Sequence, residues 1–187
     1  MYKILKITLL VCLLITTSLT VNAANEGFNS KILLTSAGQN PGVIMIKVVL
    51  DRLNKEYYYA PKITADQIKN KYSCIIISVG LSCKGISAAG MSYAEEKTRI
   101  KKLIEKITDM DTTLICIHLG GECRRDDRSN ELLNLIAPNS KRMIIYQASN
   151  KDNYFSDLAQ EKNIPLQITE DLSNLDQYFK NCIEDSE

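Results

Sequence analysis

Charge and glycine crowd into one stretch, His118-Leu-Gly-Gly-Glu-Cys-Arg-Arg-Asp-Asp-Arg-Ser-Asn130. His118 is the only histidine of the chain, and Glu122–Arg128 packs three arginines and three acids into seven residues. Arginine offers a planar fork of donors to a carboxylate or phosphate. Adjacent glycines let backbone N–H groups come close to a guest. Two other segments share this small, polar character: Ser36-Ala-Gly-Gln-Asn-Pro-Gly42 and Ser82-Cys-Lys-Gly-Ile-Ser-Ala-Ala-Gly90. The three together nominate Ser36, Gly38, Gln39, Asn40, Lys84, Gly85, His118, Gly120, Gly121, Glu122, Arg124 and Arg125 as ligand-binding residues. The matching guest is a small polar or anionic molecule.

Bond-making chemistry has fewer supports. His118 and Glu122 are the candidates for acid–base work, with Asp126 or Asp127 as a second carboxylate beside Glu122. A serine nucleophile would call for a strained Gly-x-Ser-x-Gly turn, which the chain lacks. No cysteine spacing forms a zinc pattern and no second cluster of His, Asp and Glu exists, so no metal is expected. Neither Gly-Lys-Ser/Thr nor Gly-x-Gly-x-x-Gly follows the first apolar run, which argues against the common nucleotide loops. That loop is loosely like a flavodoxin phosphate loop, but Gln39-Asn40-Pro41 stands where hydroxyl residues are wanted. No cofactor is expected, with FMN as the alternative.

The elements that would carry these loops alternate along the chain. Lys31–Thr35, Glu56–Ala60, Ser73–Val79, Thr113–His118, Arg142–Tyr146 and Pro165–Ile168 read as strands, and several are continuously apolar, as a sheet covered on both faces requires. Between them, Val43–Leu53, Ser92–Met110, Ser129–Ala137, Tyr154–Lys162 and Leu172–Ile183 read as helices, and Thr64–Asn70 as one or two helical turns. Asn40-Pro41 supplies a helix start, a capping side chain followed by Pro at the first helical position. Gly80–Gly90 reads as a glycine-punctuated loop, and the charges at Glu95, Glu96, Lys97, Arg99, Lys101, Lys102, Glu105 and Lys106 as a solvated helix face. Strand–helix alternation predicts an α/β fold: one doubly wound parallel sheet, a flavodoxin-like or Rossmann-like three-layer sandwich. Its expected strand order is 2-1-3-4-5, with the short sixth run extending the edge.

Residues 1–23 have the form of a secretory signal: Lys3 and Lys6, an apolar core Ile7–Ile15, and Val21-Asn22-Ala23 before the cut. An uncleaved anchor is the rival. Cleavage after Ala23 takes 23 of the 187 residues and leaves a single α/β domain of 164, residues 24–187, secreted or otherwise extracytoplasmic. Both lysines of the signal go with it, so the count becomes 21 Lys+Arg against 22 Asp+Glu, a net −1. Such a balance gives no bulk attraction to nucleic acid or to a membrane surface. Five cysteines remain of six, an odd number. Cys74 and Cys116 fall inside apolar strands and read as buried small hydrophobes. Cys83 and Cys123 follow strands expected to be neighbours, and outside the cytoplasm a disulfide between them is open to them, as is the free state.

Three loop motifs in order carry a resemblance: Leu33-Leu-Thr-Ser-Ala-Gly-Gln-Asn40; Val79-Gly with Lys84-Gly and Ala88-Ala-Gly90; and His118-Leu-Gly-Gly-Glu-Cys-Arg-Arg125. With Asn150-Lys-Asp and Asn163-Ile-Pro-Leu, they make the chain similar to a bacterial extracytoplasmic family, the domain of unknown function numbered 6305. The resemblance implies an exported bacterial protein and brings no activity with it. The family pattern has a small residue such as Ala where Cys123 stands and no Cys near position 83, so any bridge between the two would be private to this chain.

The functional expectation is an extracytoplasmic binding or sensing domain for a small polar or anionic ligand, held at the C-terminal edge of the sheet. A secreted transferase or hydrolase using the same crevice is the alternative. An interaction module for an envelope protein is the third reading.

Overall fold

A computed structural model describes residues 31–184, with side chains described to Lys180. The secretory-signal reading and its cut after Ala23 therefore lie outside the described residues. Cys182 falls where no side chain is described.

The apolar runs pair into one parallel sheet. Its strands are β1 (Ile32–Ala37), β2 (Tyr57–Tyr59), β3 (Cys74–Val79), β4 (Thr113–His118), β5 (Arg142–Tyr146) and β6 (Leu166–Thr169), in the order β2-β1-β3-β4-β5-β6. Every neighbouring pair is parallel, with Leu34 beside Ile76, Ile76 beside Ile115 and Ile117 beside Ile144. The helices are α1 (Gly42–Arg52), α2 (Cys83–Ala88), α3 (Tyr93–Thr108), α4 (Asp127–Ile136), α5 (Tyr154–Lys162) and α6 (Leu175–Glu184). The doubly wound, flavodoxin-like order is as expected, and β6 does extend the edge.

Alternation along each strand divides the core in two. Leu34, Cys74, Ile76, Ile115, Ile117 and Ile144 meet α1 and α6 through Ile46, Leu50, Leu175 and Phe179. Leu33, Ile75, Ile77, Cys116, Met143 and Ile145 turn to the opposite face, against Ile100, Leu103, Leu132, Leu133 and Phe155. A strand buried on both faces needs no polar side, which is why these runs are continuous.

Several boundaries differ from the sequence reading, each for a local reason. The segment read as a loop from Gly80 to Gly90 contains α2, whose start is capped by Ser82 accepting from the Gly85 N–H. Thr64–Asn70 forms a single 3-10 turn, Ala65–Gln67, opened by a reciprocal Thr64–Gln67 capping box and ended where Ile68 turns to an extended backbone. Asn40 does not cap α1. Its side chain turns inward, so the residue before the first helical turn is Pro41, with no side-chain cap. No described helix is long and apolar enough to cross a membrane.

Candidate functional site

A sheet of this order reverses direction between β1 and β3, and the loops leaving their C-terminal ends part to form a crevice. Here it is a cleft of about 440 Å³ whose lining includes Gln39, Pro41, Ile44, Tyr59, Lys62 and Gly85. The β1–α1 loop forms its floor, α2 one wall, and the chain after β2 the other.

Two glycines set the spacing of floor and wall. Gly38 has φ +85°, and a Cβ there would overlap the Gly80 carbonyl, so β1's loop can lie directly on β3's only without a side chain. At Gly85 a Cβ would overlap the carbonyl oxygen of Gln39. Gly85→Ala is therefore expected to push α2 off the β1 loop and lower stability by about 1–3 kcal/mol. Urea denaturation reads this, and an unchanged midpoint would contradict the packing role.

Below the floor lies a knot of buried polar groups. Ser36 Oγ accepts from the Asn40 backbone N–H and from Asn40 Nδ2, both at 3.2 Å. Asn40 Nδ2 also donates to the Ser78 carbonyl at 2.8 Å, and Ser78 Oγ donates back to Asn40 Oδ1 at 2.9 Å. Asn40, expected to offer donors to a guest, thus spends its side chain on joining the β1 loop to β3, and the buried Ser36 hydroxyl is taken up as its acceptor. Gly38 likewise donates its N–H to Glu96 Oε1 at 2.7 Å. Among the expected loop residues Gln39 alone keeps an unspent side-chain group beside the cleft, and it does so at φ +51°.

The charged loop after β4 forms a separate structure. His118 is fully buried at the end of its strand. Its Nδ1 lies 2.8 Å from the Val79 carbonyl, which can only accept, so the proton sits on Nδ1 and Nε2 is left as a buried acceptor with no partner. Burial pushes the imidazole pKa down to about 4, and the nearby Arg125 and Arg124 push the same way. The ring stacks on Phe155 with centroids 5.9 Å apart. This is a packed, neutral histidine.

Arg124 donates to the Leu81 carbonyl at 2.5 Å, and its side chain fills the place where a Cβ on Gly120 would sit. Arg125 donates to Asn130 Oδ1, the Ser149 carbonyl and Asp152, and lies over the rings of Tyr154 and Phe155. Gly121 supplies the left-handed turn (φ +67°) that starts this loop. Glu122 is exposed and paired with Lys151 at 2.6 Å. Lys84 is exposed on α2, outside the lining of the crevice.

The structure therefore divides the nominated residues. Ser36, Gln39, Asn40 and Gly85 meet at the crevice, with Gly38 just beneath. His118, Gly120, Gly121, Glu122, Arg124 and Arg125 brace the β4 loop against β3 and β5, and none of them lines the crevice. Cys83 and Cys123 are both exposed free thiols, so the bridge between them is absent from the structure: Cys123 Sγ is turned onto the Gly120 carbonyl of its own loop, while Cys83 opens α2.

The most consequential group was hidden in what reads as a solvated face. Glu96 and Arg99 are buried, joined at 2.7 Å. Arg99 also donates to the Ser36 carbonyl at 2.6 Å and the Ile63 carbonyl at 2.7 Å, tying α3 to β1 and to the segment after β2. A signal for this existed: Glu96, Ile100, Leu103 and Ile107 follow the four-three-four spacing of one helical face, so Glu96 falls on the apolar stripe of α3. Lys62, Tyr59 and Pro61 were also missed, since nothing local distinguishes them from ordinary surface. Among the described residues no group of three His, Cys, Asp or Glu side chains is placed to hold a metal.

Sheet order, crevice and buried polar knot define a doubly wound α/β domain with its cleft at the switch point. Residues 29–183 match the family model described as Domain of unknown function (DUF6305), and the chain belongs to that family. No curated protein matches it. A solved structure of a single-site mutant of the esterase AlinE4 is similar at 11% identity over 72% of each chain, with a TM-score of 0.31, too slight a likeness to say anything of this chain's chemistry.

Proposed function

We propose that this domain binds a small anionic molecule in the crevice between the β1 and β3 loops, as an extracytoplasmic binding or sensing module. One observation carries the reading: the first turn of α1, with no side-chain cap, lines the same crevice as Lys62. The Ile44 N–H is spent on the Pro41 carbonyl, but no side chain caps Gly42 and Val43, and an uncapped helix start carries N–H donors and partial positive charge suited to a carboxylate or phosphate. Lys62 is exposed and has no ion-pair partner among the described residues, so its charge is available to a guest. Val43, Ile44, Tyr59, Pro61, Ala88 and Ala89 make the rest of the wall mostly apolar, which favours a short aliphatic body behind the charged group.

Binding is preferred to turnover because the expected acid–base groups lie elsewhere. His118 is sealed and neutral, and Glu122 faces water beside Lys151. A transferase or hydrolase in the same cleft would have to use Lys62, Tyr59 or Ser82 instead, and among the described lining residues no base adjoins Ser82.

A thermal-shift screen of short carboxylates, inorganic phosphate and FMN tests this by linkage. The expected result is a rise in melting temperature with carboxylates, abolished by Lys62→Gln without loss of the unliganded melting temperature. A flat response across the panel, or a rise that Lys62→Gln leaves intact, would count against the site.

A further inference from the structure

The orientation of the Gln39 amide is fixed by chemistry. Its Nε2 donates to the Pro61 carbonyl at 3.0 Å and to Glu96 Oε1 at 3.3 Å. A carbonyl and a carboxylate held by arginine can only accept, so a flipped amide would set oxygen against oxygen twice. Oε1 is therefore the end left over. No donor among the described residues reaches it. It is also not one of the buried atoms lacking a partner, so it opens to solvent, and Gln39 is among the residues that line the crevice.

The support behind this amide is rigid. Glu96 is fully buried and accepts from Gly38 N, from Arg99 Nε at 2.7 Å and from Arg99 Nη2 at 2.8 Å, while Arg99 is clamped to two backbone carbonyls. Gln39 holds a left-handed backbone that costs a non-glycine residue roughly 1 kcal/mol, and these contacts sustain it. A fixed acceptor, oriented before any guest arrives, selects for a donor at little ordering cost.

We infer that Gln39 is a specificity-determining residue of the crevice and that its guest is a small carboxylate that also carries a hydrogen-bond donor, as 2-hydroxy and 2-amino acids do. The inference rests on the reading of the crevice as an anion site. The carboxylate meets the start of α1 and Lys62; the hydroxyl or ammonium meets Gln39 Oε1. Glu96 and Arg99 act through Gln39 and are positioning residues.

Calorimetric titration with isovalerate, 2-hydroxyisovalerate and valine tests it, the three sharing one aliphatic body. At least one donor-bearing acid is expected to bind about tenfold more tightly than isovalerate, the worth of one good hydrogen bond. Gln39→Met is expected to erase that preference, so that the donor-bearing acid binds no more tightly than isovalerate. Whether the hydroxy acid or the amino acid gains identifies the donor. Equal binding of all three, or a preference that survives Gln39→Met, overturns the inference and leaves the anion site standing. Binding of none overturns both. Should Gln39→Met fail to fold, the comparison of the three acids on the unaltered protein decides alone.

Discussion

Arg99→Met is expected to lower folding stability by about 3–5 kcal/mol, the usual loss when one partner of a buried ion pair is removed. The cause lies mainly in what stays behind. Glu96 is wholly shielded from water, and without Arg99 its carboxylate has only the Gly38 N–H and the Gln39 amide to stabilise it. The Ser36 and Ile63 carbonyls would also lose their donors in the interior. The surface pair Lys47–Asp51 offers the contrast, since both side chains face water and its loss should barely register. Urea denaturation of the two variants side by side gives the comparison. An Arg99→Met loss no larger than that of Lys47→Met would mean that the pair is not what joins α3 to the crevice floor.

The second large effect is on acid stability. His118 has a pKa of about 4 in the folded protein, against about 6.5 for an unperturbed imidazole. The folded state thus resists protonation that the unfolded chain accepts. The stability this represents is fully present above pH 6.5 and is lost as pH falls toward 4. Over the whole window the loss comes to about 3 kcal/mol, from roughly 1.4 kcal/mol per pKa unit. Carboxylates such as Glu131 and Asp171 are held below their ordinary range by hydrogen bonds from Tyr93 and Ser173, so they titrate beneath most of this window. Denaturation midpoints measured from pH 7 to pH 4.5 should fall steadily in the native protein. In His118→Phe, which keeps a flat ring against Phe155, the slope should largely vanish although the variant loses the bond to Val79. A slope unchanged by that substitution would place the sensitive group elsewhere.

The fold was readable because the strands are continuously apolar and the connecting helices carry one-sided stripes. Alternation of the two leaves few topologies for a chain of this length. β4 and α5 fall on their expected residues. α2 escaped because glycine at position 85 reads as punctuation, whereas in the structure it is there to let the helix touch Gln39. A cleft does open between the β1 and β3 loops, but the densest charge in the sequence, nominated to hold an anion, does not line it. Charge density is a poor guide when arginines are used as internal struts. Arg124 and Arg125 reach backbone carbonyls and Asp152, and a sequence does not reveal which donors are already taken. Conversely, Glu96 and Arg99 looked solvated because lysines surround them on the chain, although their helical phase put the glutamate with the isoleucines.

The location of the guest can be read directly from backbone amide chemical shifts as 2-hydroxyisovalerate is added to the labelled protein. The crevice account predicts that the amides of Gln39, Val43, Lys62 and Gly85 move together, while those of Gly120–Arg125 stay still. Movement confined to Gly120–Arg125, with the β1 and β3 loops silent, would contradict it.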